Sequence, residues 1–172
     1  LAVIENHPYF LAVPIERDID VELVTRLAGI SAEHFAQLNP QLNKPVILAA
    51  GAPQVLLPYD NANAFVRNLQ TYDGRLASWT AWTAPRQMAP TEAAKLVGMS
   101  EAHLREVNRI PPRMLIKAGS TLLVPRRDGH ADDVPPHVAD NGTILLVPER
   151  PALRRVAFKV GPKGDSVAAV AK

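Results

Sequence analysis

Three carboxylates stand close together near the start of the chain, Asp18, Asp20 and Glu22. Cleaving a glycosidic bond with two carboxyl groups requires them to face each other across a cleft, roughly 5 to 9.5 Å apart. Asp18 and Asp20 fall where a helix begins, and an acidic residue there is accounted for as a cap. No serine lies in a Gly-x-Ser-x-Gly elbow, and "GPKG" (161–164) lacks the Gly-Lys-Ser/Thr ending of a phosphate loop. His34 and His103 hold equivalent positions in separate segments with no second ligand in the same turn, so they read as solvent-facing histidines. His7, His130 and His137 sit in loop-like text and form no constellation. The residues therefore call for no metal, no cofactor and no autonomous active site. Trp79 and Trp82 allow two readings: flat faces for a sugar ring, or anchors of a small core.

Composition narrows the classes further. The chain has 172 residues, 47% of them hydrophobic and 21% charged, with a formal net charge of +2. Lys and Arg are interspersed with Asp and Glu, which argues against nucleic acid as a partner. Without cysteine there are no disulfides and no thiolate chemistry. No run reaches the roughly 20 apolar residues of a membrane helix, so direct membrane insertion is not expected. Sixteen prolines break the text into short elements. The chain opens at Leu1 without a secretory leader and ends inside a pattern, and we read it as a piece of a longer protein.

The elements that must position these residues are written twice. "LAGISAEHFAQLNP" (27–40) returns as "LVGMSEAHLREVNR" (96–109), pairing Gly29 with Gly98, Ser31 with Ser100, His34 with His103 and Asn39 with Asn108 at one constant offset. Gly29 suits the left-handed residue that ends a helix. Ser31 suits the N-cap of the next, with Ile30 and Phe35 as a hydrophobic staple. Ser100, Met99 and Leu104 take the same roles in the second copy. Upstream, Val21, Leu23, Val24, Leu27 and Ala28 are at helical spacing, with Asp18 or Asp20 as cap. The phrase is preceded by an apolar run, "YFLAVPI" (9–15), and each copy is followed by another, "QVLLP" (54–58) and "TLLVP" (121–125). The unit is strand, helix, helix, strand, its strands expected to pair antiparallel beneath the helices.

Between the units, 60–74 predicts a connecting helix capped by Asp60 with Ala64, Phe65 and Leu69 on one stripe. Residues 128–142, acidic and proline-containing, predict a surface linker. "TILLVP" (143–148) predicts a strand added to a neighbouring sheet. The tail, with Val156, Phe158 and Val160 and then a helix opening at Asp165 or Ser166, predicts the first half of a third unit.

A βααβ unit running strand, "GDSV", helix, Gly-hydrophobic-Ser, helix, Asn, loop, "GxxLLVP" resembles the LysM module. The tail "VGPKGDSVAAVAK" carries the opening signature and "GSTLLVP" the closing one. The order of "NHPYFLAVPIERDIDVELVTRLAGIS", "QLNP", "LLP", a linking helix and degenerate copies resembles the region after the catalytic domain of the membrane-bound lytic murein transglycosylase D family. That resemblance implies an α+β fold of tandem small modules. Their bounds are the tail of an upstream catalytic domain (1–8), module 1 (9–59), a connecting helix (60–78), module 2 (79–127), a linker (128–142), and an extra strand with a truncated module 3 (143–172). It implies a periplasmic or cell-envelope protein, anchored through a segment outside this sequence if anchored at all, whose partners are peptidoglycan glycan strands and an upstream transglycosylase domain. Such enzymes cleave with a glutamate in a Glu-Ser motif. These 172 residues contain no Glu-Ser pair, so no catalytic position carries over.

The resemblance also implies a shallow groove for N-acetylglucosamine-containing chains, between the start of the first helix and the loop before the closing strand. In module 1 this maps to Arg17, Asp18, Ile19 and Asp20 with Asn39, Pro40, Gln41 and Leu42. In module 2 it maps to Met88, Ala89, Asn108, Arg109 and Ile110. Gly164, Asp165, Ser166 and Val167 match the opening signature best. "ERDID" and "PRQMAP" depart from the usual Gly-Asp-Thr-Leu, which leaves a second expectation open: a structural spacer or docking scaffold whose modules no longer bind sugar.

Overall fold

The computed structural model describes residues 8–51, 54–127 and 133–149. The expected third unit with Gly164 to Val167, the tail 1–7, His7 and His130 lie outside the described residues.

Both copies of the repeated phrase build the same hardware. Helix α1 (Val21–Ala28) ends at Gly29, whose φ of 67° is the left-handed conformation, and α2 (Ala32–Leu38) opens at Ser31, whose hydroxyl accepts from the His34 N–H at 3.1 Å. Helix α4 (Pro90–Val97) ends at Gly98 with φ 74°, and α5 (Glu101–Asn108) opens at Ser100, which accepts from the His103 N–H at 3.2 Å. Proline at the first position of α4 costs nothing, since that N–H has no helical acceptor.

The flanking apolar runs lie side by side. Strand β1 (Phe10–Pro14) pairs antiparallel with β4 (Gln54–Pro58), and β5 (Trp79–Thr83) with β7 (Thr121–Pro125). Two shorter pairs tie the loops: β2 (Ile19–Asp20) with β3 (Val46–Ile47), and β6 (Met114–Ile116) with β8 (Leu146–Pro148). The expected added strand is thus β8, on the β6 edge. In β4, Val55 and Leu57 face inward while Gln54 and Leu56 face out, the period-two pattern of a sheet with one covered face. The result is an α+β chain of small antiparallel sheets backed by short helices.

Both predicted connectors pack against the units. Helix α3 (Tyr59–Gln70) docks on the first unit, burying Ala62 and Phe65 in one cluster with Val13, Val24, Phe35 and Leu57. Removing a side chain of that size from water contributes about 1.5–3 kcal/mol to this docking. Its N-cap is Pro58, not Asp60, which lies in the first turn. Asn61 and Asn68 donate to the carbonyls of Ala28 and Leu27, at 2.7 Å each, satisfying the exposed end of α1. Of the predicted surface linker, residues 133–139 pack against both units, and α6 (Pro136–Asn141) forms there. Composition alone could not reveal that Val134 is buried.

The units touch through Val46, Ala77 and Leu123, with Leu48, Trp79 and Val107 beside them. Leu123 is 7% exposed while its counterpart Leu56 is 36% exposed. Among the described residues, the outer face of the β5–β7 sheet is more covered than that of β1–β4, because the first unit leans on it.

Candidate functional site

The repeated asparagine proves to be a fastener. Asn39 donates to the carbonyls of Phe35 (3.1 Å) and Leu56 (2.9 Å), and the Leu56 N–H donates to Asn39 Oδ1 at 2.8 Å. Asn108 repeats this with Leu104 (3.1 Å), the Leu123 carbonyl (2.9 Å) and the Leu123 N–H (2.7 Å). In each unit one side-chain amide supplies the donor and acceptor that a third strand would have offered. The free edge of a two-stranded sheet is sealed and a helix end is pinned to it. Both asparagines are buried, so every polar atom they own serves the fold.

Asp18 has a similar fate. Its carboxylate accepts from the N–H groups of Ala49 (3.0 Å) and Val134 (2.7 Å) and lies 3.5 Å from the Arg126 guanidinium. Its own N–H donates to Asp133 at 3.2 Å, and Arg17 pairs with Asp133 at 3.5 Å. Asp18 was expected to cap a helix or contact a ligand; it instead collects partners from the first unit's loop, the second unit and the 133–134 segment. Asp20 occupies the N-cap of α1 without a capping bond, because its carboxylate accepts from the Ser78 N–H at 2.9 Å.

The remaining candidates separate by exposure. Ile19, Met88 and Ile110 are buried, and Met88 bridges Ile116 through two backbone hydrogen bonds of 3.0 and 2.9 Å. Leu42 is half-buried against the first core, and Ala89, half-buried, is the N-cap of α4. Pro40, Gln41 and Arg109 are exposed, the last with a positive φ of 52°. Pro40 and Gln41 follow Asn39 in one loop, while Arg109 follows Asn108 in the other unit.

A groove of about 290 Å³ does open at the start of α1. Asp20, Glu22 and Thr25 line its helical side, Lys44 and Pro45 come from the loop before β3, and Trp79 enters from the second unit. Asp20, and Trp79 in one of its two readings, are the members of this set legible as candidate contacts in the sequence. Lys44 was hidden in irregular loop text, and Trp79 reaches the groove only because the units lean together. Trp79 is half-buried and meets the His103 ring edge-on at 5.6 Å between centroids. Trp82 packs partly against the second core. The groove thus combines an indole, two carboxylates and an ammonium, a mixture suited to a polar ligand with an apolar face.

One carboxyl is electrostatically tuned. Glu101 accepts from the Thr91 hydroxyl and from Arg105, and these bonds hold its carboxyl below the usual glutamate range. It sits on α5, outside the groove.

Residues 9–74 match the family described as the LysM-like domain of lytic transglycosylase MltD. The matched span runs from the residue before β1 through α3, the same stretch that shares the first hydrophobic core. No curated protein matches the chain.

Proposed function

We propose that this chain, carrying an MltD-type LysM-like domain at residues 9–74, is a noncatalytic peptidoglycan-binding portion of a periplasmic lytic murein transglycosylase. The family match carries the reading. The groove at the start of α1 supports it, since Trp79 offers a face for the C–H side of a pyranose and Glu22 and Lys44 offer partners for hydroxyl and N-acetyl groups, beside Asp20, which is bonded to Ser78. Exposed Pro40 and Gln41 offer further contacts in the first unit, and exposed Arg109 offers one in the second. Each contact is shallow, and retention on glycan strands comes from several weak sites on one chain. Cleavage belongs to an upstream transglycosylase domain, and the protein works in the cell envelope. Among the described residues no helix is long and apolar enough to cross a membrane.

Co-sedimentation with purified sacculi tests the reading. The wild-type chain pellets with sacculi, and Lys44→Glu weakens retention. A wild-type chain that stays in the supernatant, with sacculi and with chitin alike, removes the proposal.

A second reading is favoured by one observation: Asp18, Asn39 and Asn108 are consumed by the fold. On it the units are a spacer or docking scaffold. Stable association with an envelope protein, together with no glycan affinity, selects this reading.

A further inference from the structure

The two units differ in one respect that the repeat makes visible. In the first, α3 lies over a surface formed by Val13, Leu27, Ala28 and Leu57, and inserts Ala62, Phe65 and Leu69 into it. The repeated phrase matches Leu27 and Ala28 to Leu96 and Val97. The strand registers, aligned through the Leu56 and Leu123 bonds to Asn39 and Asn108, match Val13 to Trp82 and Leu57 to Val124. In the second unit these counterparts line a cleft of about 470 Å³. Leu96 is 51% exposed there. Even the helix-end bond has its counterpart: Asn68 of α3 donates to the Leu27 carbonyl, and Arg127 donates to the Leu96 carbonyl at 2.6 Å. Val134 and Val138 form the far wall without filling the space.

We infer that this cleft is a docking site for an amphipathic helix of a partner protein, one that resembles α3 in presenting small, aromatic and aliphatic side chains at the spacing of Ala62, Phe65 and Leu69. The chain itself supplies the precedent: the same framework already receives such a helix at the equivalent place. The pattern is helix-in-groove recognition, in which anchors at i, i+3 and i+7 enter an apolar trough.

A synthetic peptide of the α3 sequence, Tyr59–Gln70, serves as the probe against the full chain, read through the two indole N–H signals of Trp79 and Trp82 by NMR. Saturable movement of the Trp82 signal is expected, with Trp79 little affected. A Phe65→Ala peptide weakens the effect at least tenfold, and so does Leu96→Glu in the chain, a change at an exposed position whose fold is checked by circular dichroism. If Leu96→Glu fails to fold, the Phe65→Ala peptide decides. No movement of Trp82 up to about 1 mM peptide, equal binding by the Phe65→Ala peptide, or chitin oligosaccharides displacing the peptide from Trp82 overturns the inference. The last outcome makes the cleft a sugar site.

Discussion

The Asp18 carboxylate and the Arg126 guanidinium lie 3.5 Å apart with 0% and 5% of their side chains exposed, one from each unit. Two backbone N–H groups complete the carboxylate's shell, those of Ala49 and Val134. A buried pair of this kind adds little over apolar residues of the same shape, but losing one partner leaves the other charge stranded. It therefore acts as a fastener of specific geometry between the units. Asp18→Ala is expected to cost about 3–5 kcal/mol, measured by urea unfolding. A cost below about 1 kcal/mol would show that the two units do not depend on this contact.

The asparagine fasteners make a paired prediction. Asn39→Ala and Asn108→Ala each leave a strand N–H and carbonyl without their partner, at about 1–3 kcal/mol per unsatisfied buried group at Leu123 and less at the part-buried Leu56. Amide hydrogen exchange should accelerate at Leu56 in the first variant and at Leu123 in the second, each within its own unit. Unchanged protection at both would refute the sealed-edge account.

At the helix junctions, Ser31→Ala and Ser100→Ala should each cost about 0.5–2 kcal/mol. Gly29→Ala isolates backbone strain, since a Cβ there meets nothing within 4 Å while φ stays at 67°. A cost of about 1 kcal/mol is expected from the left-handed conformation. Thermal unfolding of the three variants checks this, and a stabilised Gly29→Ala protein would contradict it.

Helix α3 is tested at Phe65. Phe65→Ala should cost about 3–5 kcal/mol through the cavity it leaves in the first core. Val66→Ala, exposed on the same helix, should fall within about 0.5 kcal/mol of wild type. Similar effects for both would mean that α3 is only a connector.

Glu101 gives a pH prediction. Hydrogen bonds from Thr91 and Arg105 depress its folded pKa, so its stabilising contribution is present above the pKa of the unfolded chain. That contribution is lost as pH falls through the depressed folded value. Carboxyl-carbon NMR should place the Glu101 midpoint below that of an ordinary glutamate, and Thr91→Val should raise it. A midpoint unmoved by Thr91→Val would assign the depression elsewhere.

What the sequence determined by itself is whatever closes within a few residues. Gly29 and Gly98 end helices, Ser31 and Ser100 start them, and apolar runs of period two make strands, because each of these choices is settled by the local backbone and its nearest hydrogen bonds. The repeat carried this logic across both units, and the resemblance drawn from it agrees with the family match at 9–74. Tertiary structure decided the allocation of polar groups. Asp18, Asn39 and Asn108 looked available for a ligand and were claimed instead by backbone groups or a charge delivered from distant positions. Trp79 entered a groove of the other unit, α3 joined a core and Val134 was buried, while Leu96 was left uncovered. The reason is physical: capping is a contest among neighbours in the chain. Burial is settled by whichever surface arrives from far along it.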